Sequence, residues 1–294
     1  MSAGSTAWAF RRRHRPLFHG LHVAVDDVLD EQRLTEAALS ISAKGSYVSH
    51  HTAARLFGGI VPDDPDVHVT SPKNRAKGRG IAGHRAKRNQ HVVTWRGLRT
   101  TSAMQTFLDM AQVLPLVDLV VLGDSLVRKG RFHPQQLVDF VATASGPHHR
   151  RAKQAAALVR AGVDSPMETR LRLLIVFAGL PEPTVDHRVH DGDGQLLYRF
   201  DLSYPEHGLI IEYDGRQHAE SIQQWHRDVD RDEQLDDQQV RRLVVVSSDI
   251  YNTPGKTLNR ITKAMRQRGM AVPRLSDEWR RHFPSRPGDE AVSA

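Results

Sequence analysis

The chain contains no cysteine among its 294 residues, which excludes disulfide bonds and any zinc site built on thiolates. No apolar run approaches the ~18 residues that a membrane-spanning helix needs. The basic run at residues 11–15 is not followed by an apolar stretch, which argues against a secretory signal peptide. The sequence therefore predicts a cytoplasmic protein with no membrane partner.

Acidic residues are missing from residues 71–100, which hold nine Lys and Arg side chains. Such a segment suits contacts to phosphate groups, which are independent of nucleotide sequence and sensitive to salt. A solvated basic loop is the alternative. The predicted DNA contacts in this segment are Lys73, Arg75, Lys77, Arg79, Arg85, Lys87 and Arg88.

Charge also differs between the two halves of the chain. Residues 1–150 hold 20 basic and 12 acidic side chains, whereas residues 151–294 hold 21 and 22. This asymmetry indicates one part that attracts a polyanion and another that holds a cation. The length allows two domains. We expect a disordered basic arm (1–17), a basic DNA-binding domain (18–162), a second domain (163–270) and a C-terminal tail (271–294).

The first domain is predicted to be mostly helical and helix-turn-helix-like. A short helical period around residues 34–41 ends at Gly45, and Ser49 is a plausible N-cap for a second helix that stops at Gly58 and Gly59. An ordinary helical pair is the alternative. Short strands are expected at 67–69 and 91–95, and further helices between 101 and 162.

The second domain is predicted to be a mixed sheet flanked by helices, in the order α-β-β-β-α-β-α. Ser165, Pro166 and Glu168 form a capping-box pattern that opens the first helix. A strand at 185–189, a hairpin, a polar helix at 219–238, an apolar strand at 241–246 and a last helix at 257–268 follow. The chain as a whole is therefore assigned to the α+β class.

The central hairpin spans residues 195–218 and alternates apolar and polar side chains in both arms. Residues 205–208 supply a four-residue turn. A regular turn pairs residues whose numbers sum to 413, so that Asp201 faces Glu212 and Arg199 faces Asp214. The aromatic and aliphatic side chains then lie on the opposite face.

Opposed carboxylates on neighbouring strands are destabilising unless something neutralises them. A divalent cation does so, because Mg²⁺ takes one or two carboxylates and leaves its other positions to water and phosphate. A solvated polar face neutralised by Arg199 and Arg216 is the alternative, and a β-bulge would break the assumed register.

Asp201, Glu212-Tyr213-Asp214-Gly215 and His218, with SPMETRLR before them and WHRDVDRDEQL after, resemble the very-short-patch-repair-endonuclease-like domains of the PD-(D/E)xK restriction-endonuclease-like superfamily. The resemblance covers about 165–260. It implies a restriction-endonuclease-like fold and Mg²⁺ or Mn²⁺ held by Asp201, Glu212 and Asp214. It further implies that Glu168 approaches the metal site in a catalytic role and that Arg231 makes a phosphate or positioning contact. His218 is expected to act as a general acid/base or to contact phosphate, and a cap of the next helix is the alternative.

One departure from the superfamily pattern concerns its usual Lys, which stands two residues after the second acid. This chain has Asp214 there and no Lys between Lys153 and Lys256. The repair-type domains also lack that Lys. SHHTAARLFGG resembles the N-terminal region of AbiEi-family antitoxin-like proteins, which often precedes this kind of nuclease-like domain.

The sequence thus predicts a DNA endonuclease that depends on a divalent metal and hydrolyses phosphodiester bonds. The alternative is a non-catalytic DNA-binding protein, antitoxin-like or regulatory, that keeps the nuclease fold as a scaffold. DNA is the expected partner. A second copy of the chain and a toxin or defence-system protein remain open as further partners.

Overall fold

The computed structural model describes residues 3–73, 78–215 and 240–284, and the chain divides into two units, Met1–Val159 and Arg160–Ala294. Both helices and sheets are present in each unit, which places the chain in the α+β class as predicted. No helix among the described residues is long and apolar enough to cross a bilayer.

The first unit combines helices with a five-stranded mixed sheet. Its helices are α1 (Ala3–Arg13), α2 (Glu31–Ser40), α3 (His50–Leu56), α4 (Ala103–Met110), α5 (Leu116–Arg128), α6 (Pro134–Ala142) and α7 (His149–Leu158). Its strands are β1 (His14–Phe18), β2 (Leu21–Ala24), β3 (Tyr47–Val48), β4 (Val67–Ser71), β5 (Ile81–Arg85), β6 (Val92–Trp95) and β7 (Leu98–Thr101). β1 and β2 form a separate hairpin, and the sheet has the order β5-β4-β3-β7-β6.

The basic arm predicted to be disordered over residues 1–17 is instead helix α1 followed by strand β1. Phe18, at the end of β1, is buried and packs in one cluster with Ala38, Val67 and Ile81. Burial of this aromatic side chain stabilises the segment. The run of arginines just before it led the sequence analysis to predict disorder instead. The prediction of disorder was therefore wrong for the described part of this segment.

The helix-turn-helix prediction is also corrected by the structure. Such motifs join their helices by a turn of three to four residues, whereas α2 and α3 are joined by a segment that includes β3, the central strand of the sheet. The first residues of α3, including His50, His51 and Thr52, are buried. A recognition helix needs the residues at its N-terminal end free to contact base edges, so α3 cannot serve as one in this arrangement.

Helix α5 comes closest to its neighbours at Gly123. A Cβ atom at that position would lie 2.3 Å from Cγ2 of Val159 and 3.1 Å from Cε2 of Phe107, and both side chains are fully buried. We expect Gly123→Ala to destabilise the protein by about 1–2 kcal/mol in urea denaturation, because overpacking outweighs the gain in helix propensity. Gly78→Ala is the matched control, since its Cβ would meet only Ile81 Cδ1 at 3.8 Å. Equal stability of the two variants would contradict this packing.

The second unit contains a four-stranded sheet of order β11-β10-β9-β8. Its elements are α8 (Pro166–Phe177), β8 (Thr184–His190), β9 (Leu196–Tyr204), a short 3₁₀ turn (Pro205–His207), β10 (Leu209–Tyr213), β11 (Arg241–Val245), α9 (Ser247–Tyr251), α10 (Pro254–Gln267) and a 3₁₀ turn (Glu278–Arg281). β8, β9 and β10 are antiparallel neighbours, and β11 is parallel to β10. The helix predicted at 219–238 lies outside the described residues.

The predicted C-terminal tail over 271–294 is packed as far as it is described. Trp279 and Phe283 expose 3% and 4% of their surfaces, and the Glu278–Arg281 turn lies against α8. Two buried aromatic side chains bind this segment to the unit. The second unit therefore extends beyond residue 270.

Candidate functional site

The hairpin of β9 and β10 has the predicted register. Tyr204 pairs with Leu209, Ser203 with Ile210 and Leu202 with Ile211, and each pair sums to 413. The turn closes through Gly208, whose φ of 56° is in the left-handed region that favours glycine. This turn sets the register of the two arms, one of which carries Asp201 and the other Glu212.

The described strand pairing has a gap at Asp201, although β8 and β9 keep the same register on both sides of it and shift register only at Val189 and His190. In the described ladders β9 pairs with β10 only as far as Leu202, and its pairing with β8 passes from Leu202 to Phe200 without a partner for Asp201. The carboxylate of Asp201 accepts a hydrogen bond of 3.2 Å from the amide of Tyr213. On the neighbouring strand β8, Asp186 has a φ of 54°, which lies in the left-handed region. A positive φ in a residue other than glycine is uncommon, and such backbone conformations are concentrated at functional sites.

The predicted alternation of faces is interrupted at the same place. Phe200 packs in one cluster with Ile210, although strict alternation puts Ile210 on the acidic face. The aromatic residues and the acids are therefore not cleanly separated between two faces, as the sequence analysis expected.

Glu168 reaches this site from the first turn of α8. Ser165 caps the helix by accepting the amide of Glu168, as predicted. The carboxylate of Glu168 accepts the amide of Asp164 at 2.9 Å, one residue before the position that a capping box requires. Glu168 exposes 8% of its surface, and its negative charge acts to raise the pKa of Asp201.

Glu212 is the third carboxylate, and it is paired with a cation. Glu212 exposes 8% of its surface, and its Oε2 accepts a hydrogen bond of 2.7 Å from Nε of Arg242 on β11. A solvated polar face, the alternative interpretation of this hairpin, does not describe so buried a carboxylate. That alternative named Arg199 and Arg216 as the neutralising cations, whereas Glu212 is paired with Arg242, and Arg216 lies outside the described residues.

The pKa of Asp201 is raised from 3.8 to about 7. Burial is the main cause, followed by the negative charge of Glu168, and Glu212 adds to the effect. The hydrogen bond from Tyr213 and the charge of Arg199 act in the opposite direction. Near neutral pH, Asp201 is therefore poised between its protonated and ionised forms.

Other predicted residues are placed less fully. Asp214 follows β10, is half-buried, and donates its amide to the carbonyl of Val245 at 2.9 Å. His218 and Arg231 lie outside the described residues, as do Arg75 and Lys77. The side chains of five further predicted DNA contacts in the first unit are exposed: Lys73, Arg79, Arg85, Lys87 and Arg88.

Two tighter groups of possible metal ligands lie in the first unit, and the sequence analysis missed them. Within the described ranges, the groups of three with one atom each inside 4.8 Å are His50, His68 and His84, and His51, Asp64 and His68. The three carboxylates of the second unit are not among these groups. The only signal in the sequence was the local density of histidine, because the side chains meet through non-local strand pairing.

No protein-family model matches the chain, and no solved structure matches it. The chain is similar to Uncharacterized protein MT2308 of Mycobacterium tuberculosis strain CDC 1551 / Oshkosh and to Uncharacterized protein Rv2248 of strain ATCC 25618 / H37Rv. Each is 26% identical over 243 residues, which cover 80% of this chain and 87% of the relative. The similarity extends over most of both chains, so the relatives have counterparts of much of both units.

Proposed function

We propose that the protein is a DNA endonuclease that depends on a divalent metal and carries its site in the second unit. The observation that carries this proposal is that the buried carboxylates of Glu168 and Glu212 lie near enough to Asp201 for both charges to raise its pKa. Two further carboxylates beside the half-buried Asp201 cost stability when the site is empty. A bound divalent cation would neutralise these carboxylates and remove that cost.

The donor set suits Mg²⁺ or Mn²⁺, since both prefer carboxylate oxygens. Mg²⁺ needs only one or two protein carboxylates, so Asp201 and Glu168 are sufficient ligands while Glu212 keeps its ion pair with Arg242. A bound ion supplies Lewis acidity at the phosphate and lowers the pKa of an attacking water. Asp201 and Glu168 would hold the ion, and the amides of Tyr213 and Asp164, which donate to these two carboxylates, would orient them.

A restriction-endonuclease-like fold for the second unit is part of this proposal. Its support is the order of α8, three antiparallel strands and β11, which is parallel to β10. The resemblance of residues 165–260 to repair-type nuclease domains gives the same order. Asp214 and His218 enter the proposal only through that resemblance.

The experiment that tests the activity is nicking of supercoiled plasmid DNA by the full chain with Mg²⁺ or Mn²⁺. We expect cleavage by the wild type and a loss of at least about 100-fold in Asp201→Asn, because the principal ligand loses its charge. Asp193→Asn is the matched control: Asp193 is an exposed residue in the turn between β8 and β9, and its replacement should leave cleavage unchanged. Equal cleavage by wild type and Asp201→Asn would reject the site.

DNA binding through the basic segment gives a second prediction. Replacing Arg85, Lys87 and Arg88 by Ala should weaken binding to duplex DNA. It should also reduce the slope of log K against log salt by roughly 2–3, because each phosphate that a side chain neutralises accounts for about 0.9 of that slope. Fluorescence anisotropy at a series of salt concentrations measures the slope.

The control for this prediction removes the same charge elsewhere. Lys256, Lys263 and Arg266 are exposed on α10, and their replacement by Ala should leave the slope within about one unit of the wild type. If the two triple variants had equal slopes, net charge alone, and not the basic segment, would govern binding.

The non-catalytic alternative is favoured by two specific observations. Arg242 already neutralises Glu212, and the three carboxylates are spread more widely than the tight ligand groups of the first unit. A DNA-binding protein that keeps the fold as a scaffold would show the predicted salt slope and no cleavage with either metal.

A further inference from the structure

We propose that the first unit binds a divalent transition metal, with Zn²⁺ as the best match, through His51, Asp64 and His68. This site is separate in sequence and chemistry from the carboxylates of the second unit. It uses two imidazoles and one carboxylate, a donor set that suits zinc and other transition metals better than Mg²⁺.

Three different elements supply the ligands. His51 lies in the first turn of α3, Asp64 in the connection from α3 to β4, and His68 in β4. The amide of His68 donates to Oγ1 of Thr52 at 2.9 Å, which joins β4 to α3. His51 and His68 each expose only 5% of their surface, so the two imidazoles are held in a packed interior.

The distances match a metal site. Oδ2 of Asp64 lies 3.1 Å from Nε2 of His68 and 3.7 Å from Nδ1 of His51. Metal–ligand distances of 2.0–2.2 Å at tetrahedral angles place neighbouring donor atoms about 3.3 Å apart. The measured distances lie on either side of that value, and all three donor atoms lie within 4.8 Å of one another.

Two buried nitrogens point to a missing ligand. Nδ1 of His51 and Nε2 of His68 are the two atoms that face Asp64, yet neither makes a properly aligned hydrogen bond. A buried polar atom that makes no well-aligned hydrogen bond destabilises the folded state. One bound cation would satisfy both nitrogens and the carboxylate together.

The surrounding contacts are those expected around metal ligands. Nδ1 of His68 lies 3.0 Å from Nε2 of His84, so a proton on Nδ1 leaves Nε2 of His68 with a free lone pair. Oδ1 of Asp64 accepts the amide of Asp66 at 2.9 Å, which orients Oδ2 toward the histidines.

His50 lies beside the proposed ligands and is not one of them. Its ring stacks on that of His84 with 3.7 Å between the centroids, and its Nδ1 lies 2.9 Å from Oγ of Ser49. Nε2 of His84 contacts Nδ1 of His68, which is the His68 nitrogen that does not face Asp64. His84 is therefore a positioning residue in this proposal.

The test is titration of the metal-free full chain with Zn²⁺ by calorimetry, and with Co²⁺ by visible absorption. We expect one site in the wild type, with the strong visible bands of tetrahedral cobalt. Asp64→Asn and His51→Gln should each weaken Zn²⁺ binding by more than about 100-fold, since each removes a ligand. His84→Gln should weaken it by about 10- to 100-fold, because it removes only an orienting contact.

The matched control is His19→Gln, which replaces an exposed histidine of the same unit and should leave binding unchanged. Zn²⁺ should also raise the melting temperature of the wild type by mass action. X-ray absorption of the zinc-loaded wild type should show only nitrogen and oxygen ligands near 2.0–2.1 Å, and this readout needs no variant to fold.

Three outcomes would overturn the proposal. The first is a wild type that binds neither Zn²⁺ nor Co²⁺. The second is binding that survives both Asp64→Asn and His51→Gln. The third is binding abolished by His50→Gln and retained in His51→Gln, which would assign the metal to the other histidine group. None of these outcomes depends on whether the second unit cleaves DNA.

Discussion

Asn in place of Asp201 is expected to raise the melting temperature of the metal-free protein at pH 8 by roughly 4–8 °C, from about 2 kcal/mol of relieved repulsion. The folded pKa of about 7 lies above the ordinary 3.8, so the folded state holds more protons between these values. Stability of the wild type should therefore fall as pH rises from about 4 to 7 and stay low above that. Asn is neutral throughout and still accepts the amide of Tyr213.

Melting curves of both proteins from pH 4 to pH 8, in the presence of a chelator, measure this effect. The two curves should converge at the acidic end, where Asp201 is protonated, and separate as pH rises. Asp193→Asn should follow the wild type at every pH. A variant less stable than the wild type at pH 8 would show that Asp201 is not under electrostatic stress.

Glu182→Gln is expected to destabilise the protein by about 2–3 kcal/mol at neutral pH, or roughly 4–12 °C in melting temperature. The guanidinium of Arg172 is fully buried, and its Nη1 lies 2.9 Å from Oε1 of Glu182. Oε2 of Glu182 also accepts a bond of 2.9 Å from Arg160. Loss of this carboxylate removes a countercharge from a cation that water cannot reach.

The pH dependence of this effect follows from the pKa of Glu182. Burial acts to raise it, but Arg160 and Arg172 together lower it below its ordinary value. The stabilisation by the Glu182 carboxylate is therefore present at neutral pH and is lost as pH falls through its folded pKa. The stability difference between wild type and the Gln variant should shrink over the same pH range, because Gln does not titrate.

An exposed ion pair provides the control for Glu182. Asp277 pairs with Arg280 at 3.0 Å with side chains 87% and 44% exposed, and Asp277→Asn should change stability by less than about 0.5 kcal/mol. Similar losses in both variants would contradict the assignment of Arg172 as a buried, charge-paired residue.

Local patterns in the sequence predicted the second unit well where the interactions are themselves local. The Ser165 cap, the Gly208 turn and the 413 register each depend on residues close together in the chain, so periodicity and turn chemistry were sufficient. The positive φ of Asp186 and the ion pair of Glu212 with Arg242 are not local in the sequence pattern, and alternation alone gave no sign of them.

The first unit shows the opposite case. The sequence placed short helices around residues 34–41 and after Ser49, but it did not reveal that β3 between them is the centre of a sheet, since a two-residue strand has almost no periodicity. The cluster of His51, Asp64 and His68 was missed for a related reason. Its members meet only because α3 and β4 pack together, and no motif spacing describes that arrangement.

Cation binding at Asp201 is tested most directly by calorimetric titration of the full chain with Mg²⁺ at pH 7. Mg²⁺ prefers oxygen ligands, so the histidines of the first unit do not compete. We expect one site in the wild type and in Asp193→Asn, and an affinity at least about 10-fold lower in Asp201→Asn. Because the pKa of Asp201 is about 7, binding should also release protons, and two buffers of different ionisation enthalpy should give different heats. Identical titrations of wild type and Asp201→Asn, or no binding at ~10 mM Mg²⁺, a concentration at which a site of millimolar affinity is mostly filled, would contradict the proposed metal site.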